Sequence, residues 1–140
     1  MTKEKILLHQ KIMDEAYALW QKPKNGSWST EEFFDHLSYI QRVAVSLGNL
    51  NYQVENGGFA QWISNGYADA HYDFLMRLKK EVDEKKFSQL AQALKLVEIS
   101  RSYDDPDEKE FSEELDELDE SYYRLNVIEK QMEEFIASLI

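Results

Sequence analysis

Asp69-Ala70-His71-Tyr72-Asp73 gathers three side chains that could ligate a metal ion. On a helix a spacing of two points successive ligands around the barrel, so His71 faces away from both aspartates. His9 and His36 lie far away in sequence and belong to no zinc-helix pattern. His71 is therefore expected at the surface. The acidic run between residues 104 and 120 fails as an EF-hand, since it lacks the turn glycine and is interrupted by Pro106 and Lys109. There is no cysteine, which excludes disulfides, thiolate ligands and a thiol nucleophile and permits a reducing compartment. No G-x-S-x-G and no phosphate-cradling loop after a strand occurs. Paired carboxylates abound, but without a pocket they give no reason to expect acid–base catalysis. The expectation is a protein that is not an enzyme, with no catalytic residue, no metal site and no cofactor.

The charge distribution points elsewhere. The net charge is −11, yet residues 1–103 carry 13 acidic and 13 basic side chains. Residues 104–120 carry 11 acidic residues and one lysine: Asp104, Asp105, Asp107, Glu108, Glu110, Glu113, Glu114, Asp116, Glu117, Asp119 and Glu120. The excess is thus one patch. Acids at a helix N-terminus suit the macrodipole, which accounts for Asp107, Glu108 and Glu110. It does not account for the continuation. Like charges three or four apart on a helix destabilise by roughly 0.2–0.5 kcal/mol per pair. Seventeen helical residues span about 25 Å, and a DNA duplex carries on the order of 15 charges over that length. Such a surface repels nucleic acid and steers a basic protein toward itself.

These residues need elements to hold them, and the sequence reads as all-α. Leucine occurs 15 times and alanine 9, no period-two alternation is sustained, and glycine and proline are few. Residues 4–21 place Ile6, Met13, Ala16, Tyr17 and Trp20 on one stripe, ended by Pro23, Asn25 and Gly26. Ser29 and Glu32 form a capping-box pattern, with Trp28 positioned to staple onto Phe33. Phe33, Leu37, Ile40, Ala44, Leu47 and Val54 continue one stripe, with a kink allowed at Gly48. Asn56-Gly57-Gly58 should break it. A short helix bearing Phe59, Trp62 and Ile63 follows and stops at Asn65-Gly66. Asp69 is placed to cap the next helix, and a further one holds Phe87, Leu90, Ala91, Leu94 and Val97. The pattern from Phe111 to Leu139 suits one long helix or two. The sum is a single compact domain, 1–140, of six to eight helices without sheet. Residues 1–15 are charged and amphipathic, and no apolar run is long enough to span a bilayer, so a cytoplasmic location is expected.

Val54-Glu55-Asn56-Gly57-Gly58-Phe59-Ala60-Gln61-Trp62, followed by Asn65, resembles a family of small helical bacterial proteins with an E-x-N-G-G-F-x-Q core, named for a DNA-mimic member. Leu115-Asp116-Glu117-Leu118-Asp119-Glu120-Ser121-Tyr122-Tyr123 resembles that family's second, looser region. The likeness covers about residues 30–140. It implies an all-α fold and a partner that is a DNA-binding regulator whose basic face the protein occupies. By position it singles out Glu55, Asn56, Gly57, Gly58, Phe59, Gln61 and Asn65. Read as residues alone, these suit a tight corner: Phe59 and Trp62 enter the core, and the amides satisfy backbone groups.

Three functions remain open from the sequence. One is a DNA-mimic-like inhibitor that binds a basic protein and no nucleic acid or membrane. The second is an immunity or inhibitor protein that neutralises a basic nuclease or toxin. The third is a ligand binder or enzyme at the Gly57-Gly58 corner.

Overall fold

The computed structural model describes residues 3–20, 29–103 and 109–140, and every ordered element among them is a helix. In chain order these are α1 (Lys3–Trp20), α2 (Thr30–Asp35), α3 (Tyr39–Ser64), α4 (Tyr67–Glu81), α5 (Ser88–Ser100), α6 (Lys109–Tyr123) and α7 (Ile128–Ser138). The long α3 is the axis of the fold. It packs against α1, α4, α6 and α7, while α5 closes the far side against α4, α6 and α7. Val43, Leu47, Leu50 and Val54 along α3 are fully buried, meeting Leu75, Leu90, Leu94, Leu115, Tyr122 and Phe135.

Several starts follow the expected local chemistry. The Ser29 Oγ accepts from the Glu32 N–H at 3.1 Å and opens α2. Phe33 is buried, whereas Trp28 and the Pro23–Gly26 stop lie outside the described residues. The single stripe expected from Phe33 to Val54 is instead two helices. α2 ends at Asp35, and Ser38 opens α3 through a full capping box with Gln41. The S-x-x-Q spacing was visible in the sequence and outranks the apolar period there.

Gly48 produces no kink, because an unbroken helix passes through it and a Cβ there would meet only Met13 Cε at 3.7 Å. Asp69 does not cap α4. That helix is capped three residues earlier, at Gly66, whose φ of 81° lies in the left-handed region, and Asp69 pairs with Arg101 at 2.7 Å. On α1, Ala16 is buried and Met13 half-buried as expected, but Tyr17 is 65% exposed. The Phe111–Leu139 pattern resolves into α6 and α7, separated by residues 124–127.

The later helix starts are capped from a distance. Gln131 Oε1 on α7 accepts from the N–H groups of Gln89 and Leu90 at the start of α5, at 2.8 and 3.1 Å. Gln89 in return accepts from the Val127 N–H and donates to Asn126 at the start of α7. Free backbone donors at one helix end are thereby satisfied by the other.

Candidate recognition surface

Within α3 the backbone leaves helical geometry at two residues, Gly57 (φ −152°, ψ 15°) and Gly58 (φ 77°, ψ −179°). Gly58 alone needs the freedom of a glycine, since its φ and ψ are sparsely accessible to any L side chain. The break exposes the N–H of Phe59, which begins the second arm. Asp119 of α6 fills that vacancy, accepting from Phe59 N–H at 2.8 Å. A Cβ on Gly58 would stand 2.2 Å from Asp119 Oδ2, so the same glycine supplies the turn and the room for the carboxylate. Burial raises the Asp119 pKa, partly opposed by the Phe59 N–H and reinforced by Asp116.

The remaining motif residues tie the bend together. Gln53 Oε1 accepts from Gln61 Nε2 at 2.8 Å and from Asn65 Nδ2 at 3.2 Å, and Asn56 donates to Gln61 Oε1 at 3.3 Å. Phe59 and Trp62 are fully buried as expected, and Trp62 Nε1 donates to Asn49. Phe59 meets Tyr122 edge-on at 5.9 Å between centroids. Tyr122 donates to Asn51 Oδ1 and Tyr123 to the Val54 carbonyl, both at 2.7 Å. The two motif regions, 60 residues apart in sequence, are therefore one joint. Asn56, Gln61 and Asn65 spend amide groups on one another and on Gln53.

The same α6 presents its other side to solvent. Leu115, Leu118 and Tyr122 are buried, while Glu113, Glu114, Asp116, Glu117 and Glu120 are exposed. Among the described residues one cation meets this group: Arg124 stands 3.9 Å from Glu120. Asp119 departs from the expected surface, being half-buried and committed to Phe59. Asp104, Asp105, Asp107 and Glu108 lie outside the described residues, as does the side chain of Glu110. Glu55, the first motif residue, is exposed; burial, and after it nearby carboxylates that include Glu55, raise the phenol pKa values of Tyr122 and Tyr123.

A family model described as DMP19-like protein matches residues 35–139. The chain belongs to the DMP19-like family, a family of DNA-mimic proteins. The match lies close to the span over which the two motifs suggested a likeness. No curated protein and no solved structure matches the chain.

Sequence reasoning missed one polar cluster. His71 is 3% exposed rather than a surface residue. Its Nδ1 meets Ser46 Oγ at 3.0 Å and Arg42 Nη1 at 3.4 Å. Burial, aided by the Arg42 charge, pushes its pKa down to about 3 and keeps the ring neutral. Arg42 lies over the Phe34 ring at 3.3 Å and donates to the Ala70 carbonyl at 3.2 Å. Burial and then Arg77 lower its pKa to about 10. The signal lay in α3, where Arg42 and Ser46 are four apart and share a face, but nothing local pointed to His71 as their partner. No group of three His, Asp or Glu residues suited to a metal occurs among the described residues. No described helix is long and apolar enough to cross a membrane.

Proposed function

We propose that the protein is a DNA mimic that uses the outer face of α6 to occupy the basic DNA-binding surface of a regulatory protein, without catalysing a reaction. The observation that carries this reading is the run of exposed carboxylates on α6, beside which Arg124 is the one cation met among the described residues. Membership in the DMP19-like family supports it. The acidic run 104–120 supplies the charge: Asp104, Asp105, Asp107, Glu108 and Glu110 precede in sequence the exposed Glu113, Glu114, Asp116, Glu117 and Glu120. Asp119 serves as a positioning residue, since it holds α6 against the α3 joint. Motif residues Glu55, Asn56, Gly57, Gly58, Phe59, Gln61 and Asn65 set the angle at which that helix stands.

An acidic helix held rigidly presents its field without first having to order it, which favours fast, salt-sensitive association. The test is capture of partners from a cell lysate at low and high salt, followed by a DNA-competition assay on what is captured. Release by salt and displacement of DNA from the captured protein support the reading. Capture of a nuclease or toxin, inhibited without any DNA-binding regulator present, would favour the immunity-protein alternative. No salt-dependent partner at all would remove both.

A further inference from the structure

A cavity of about 400 Å³ opens between α1, α2, α3 and α4, away from the acidic helix, with Met13, Phe33, Phe34, Val45, Ala70 and His71 among its walls. That is within the size of pockets that hold small molecules. No charged side chain among the described residues lines it. His71 supplies a directed polar group. A guanidinium can only donate, so the Arg42 contact makes Nδ1 the acceptor and leaves the ring proton on Nε2. The Ser46 hydroxyl fits the same tautomer by donating to Nδ1. No acceptor among the described residues reaches Nε2. Yet among the described residues no fully enclosed polar side-chain atom lacks a partner, so Nε2 retains contact with open volume, and the cavity lies against this ring.

We propose that this cavity binds a small, uncharged aromatic molecule whose carbonyl oxygen accepts a hydrogen bond from His71 Nε2. Among the described residues the walls offer no counter-ion, so a charged occupant would lose its hydration without gaining one. A neutral acceptor would take the hydrogen bond of His71 Nε2 and replace water from surfaces of Phe33, Phe34 and Met13. The inference is independent of the acidic-face reading, since it concerns other helices and a different class of partner.

The test titrates the full chain, labelled at its histidine ring nitrogens, with acetophenone, and with ethylbenzene as the same shape without an acceptor. Acetophenone should shift the His71 Nε2 resonance saturably, with a Kd on the order of 1 mM or tighter. Ethylbenzene should bind roughly 3- to 10-fold more weakly. Ala70→Leu, which fills the cavity, should abolish the shift while circular dichroism shows the helices intact. Val45→Phe replaces it if that variant fails to fold. No saturable shift in the parent protein up to about 10 mM, equal binding of the two probes, or an unchanged shift in a folded cavity-filling variant would each overturn the proposal.

Discussion

The two sides of α6 carry the same chemistry to opposite ends. Asp119 and Glu117 lie two residues apart, both carboxylates on one helix. Asp119 turns inward and accepts from the Phe59 N–H at the α3 break. Glu117 turns outward with Glu113, Glu114 and Asp116, and among the described residues no cation meets any of these four. An acidic run is therefore not one feature. The inward acid caps the α3 break, while the four outward acids face solvent with no cation beside them among the described residues.

The largest effect belongs to the glycine beneath Asp119. Gly58→Val should destabilise by about 3 kcal/mol or more, since it forces a φ of 77° on a β-branched residue and collides with the carboxylate. Gly57→Ala should cost less, about 1–2 kcal/mol, because its φ is negative, although its Cβ would displace the Gln61 side chain, 1.9–2.8 Å away, from its hydrogen bonds. Thermal melts of the two variants check this ranking. Equal melting temperatures would break the inward half of the comparison.

Asp119→Ala should cost about 1–2 kcal/mol, the usual loss for a removed helix cap. Asp119→Asn keeps an accepting oxygen and should lose less than about 1 kcal/mol. Their pH behaviour sharpens the point. Asp119 has a folded pKa above its ordinary value, so folding favours its protonated form. The stability this adds is complete below the ordinary value and is lost as pH rises through the raised one. Urea titrations across that window should show this decline in the parent and its absence in Asp119→Asn. Glu117→Gln, on the outward side, should leave the decline in place.

How far this was legible depends on the distance over which each cap acts. Ser29 and the Ser38–Gln41 box are local, and their spacing announces them, although the longer apolar period concealed the break at Leu37. Gly57-Gly58 announced a bend for the same local reason. Asp119 on Phe59, Gln131 on α5 and Gln89 on α7 bridge 60, 41–42 and 37–38 residues, and no periodicity carries that information. His71 was misplaced for a related reason. Its flanking Asp69 and Asp73 are exposed, but one helix carries both faces, and the inward one meets Arg42 and Ser46 from α3.

Replacing the outward acids together, as Glu113→Gln, Glu114→Gln, Asp116→Asn and Glu117→Gln, should change stability least. Several like-charge helix pairs disappear, so a gain of up to about 1 kcal/mol is expected in denaturant titrations. A loss of more than about 1 kcal/mol would show that these acids build the fold as Asp119 does.

The same fourfold variant gives the most direct test of the outer face as a recognition surface. The measurement is the association rate of parent and variant with the DNA-binding protein captured from lysate, across a salt series from low to physiological ionic strength. Steering arises from the summed field, so the variant should associate roughly 10-fold or more slowly at low salt and show a flatter salt dependence. Its dissociation rate should change less. Equal association rates and equal salt slopes for the two proteins would contradict the account and leave the acidic face as a solvated side of a helix.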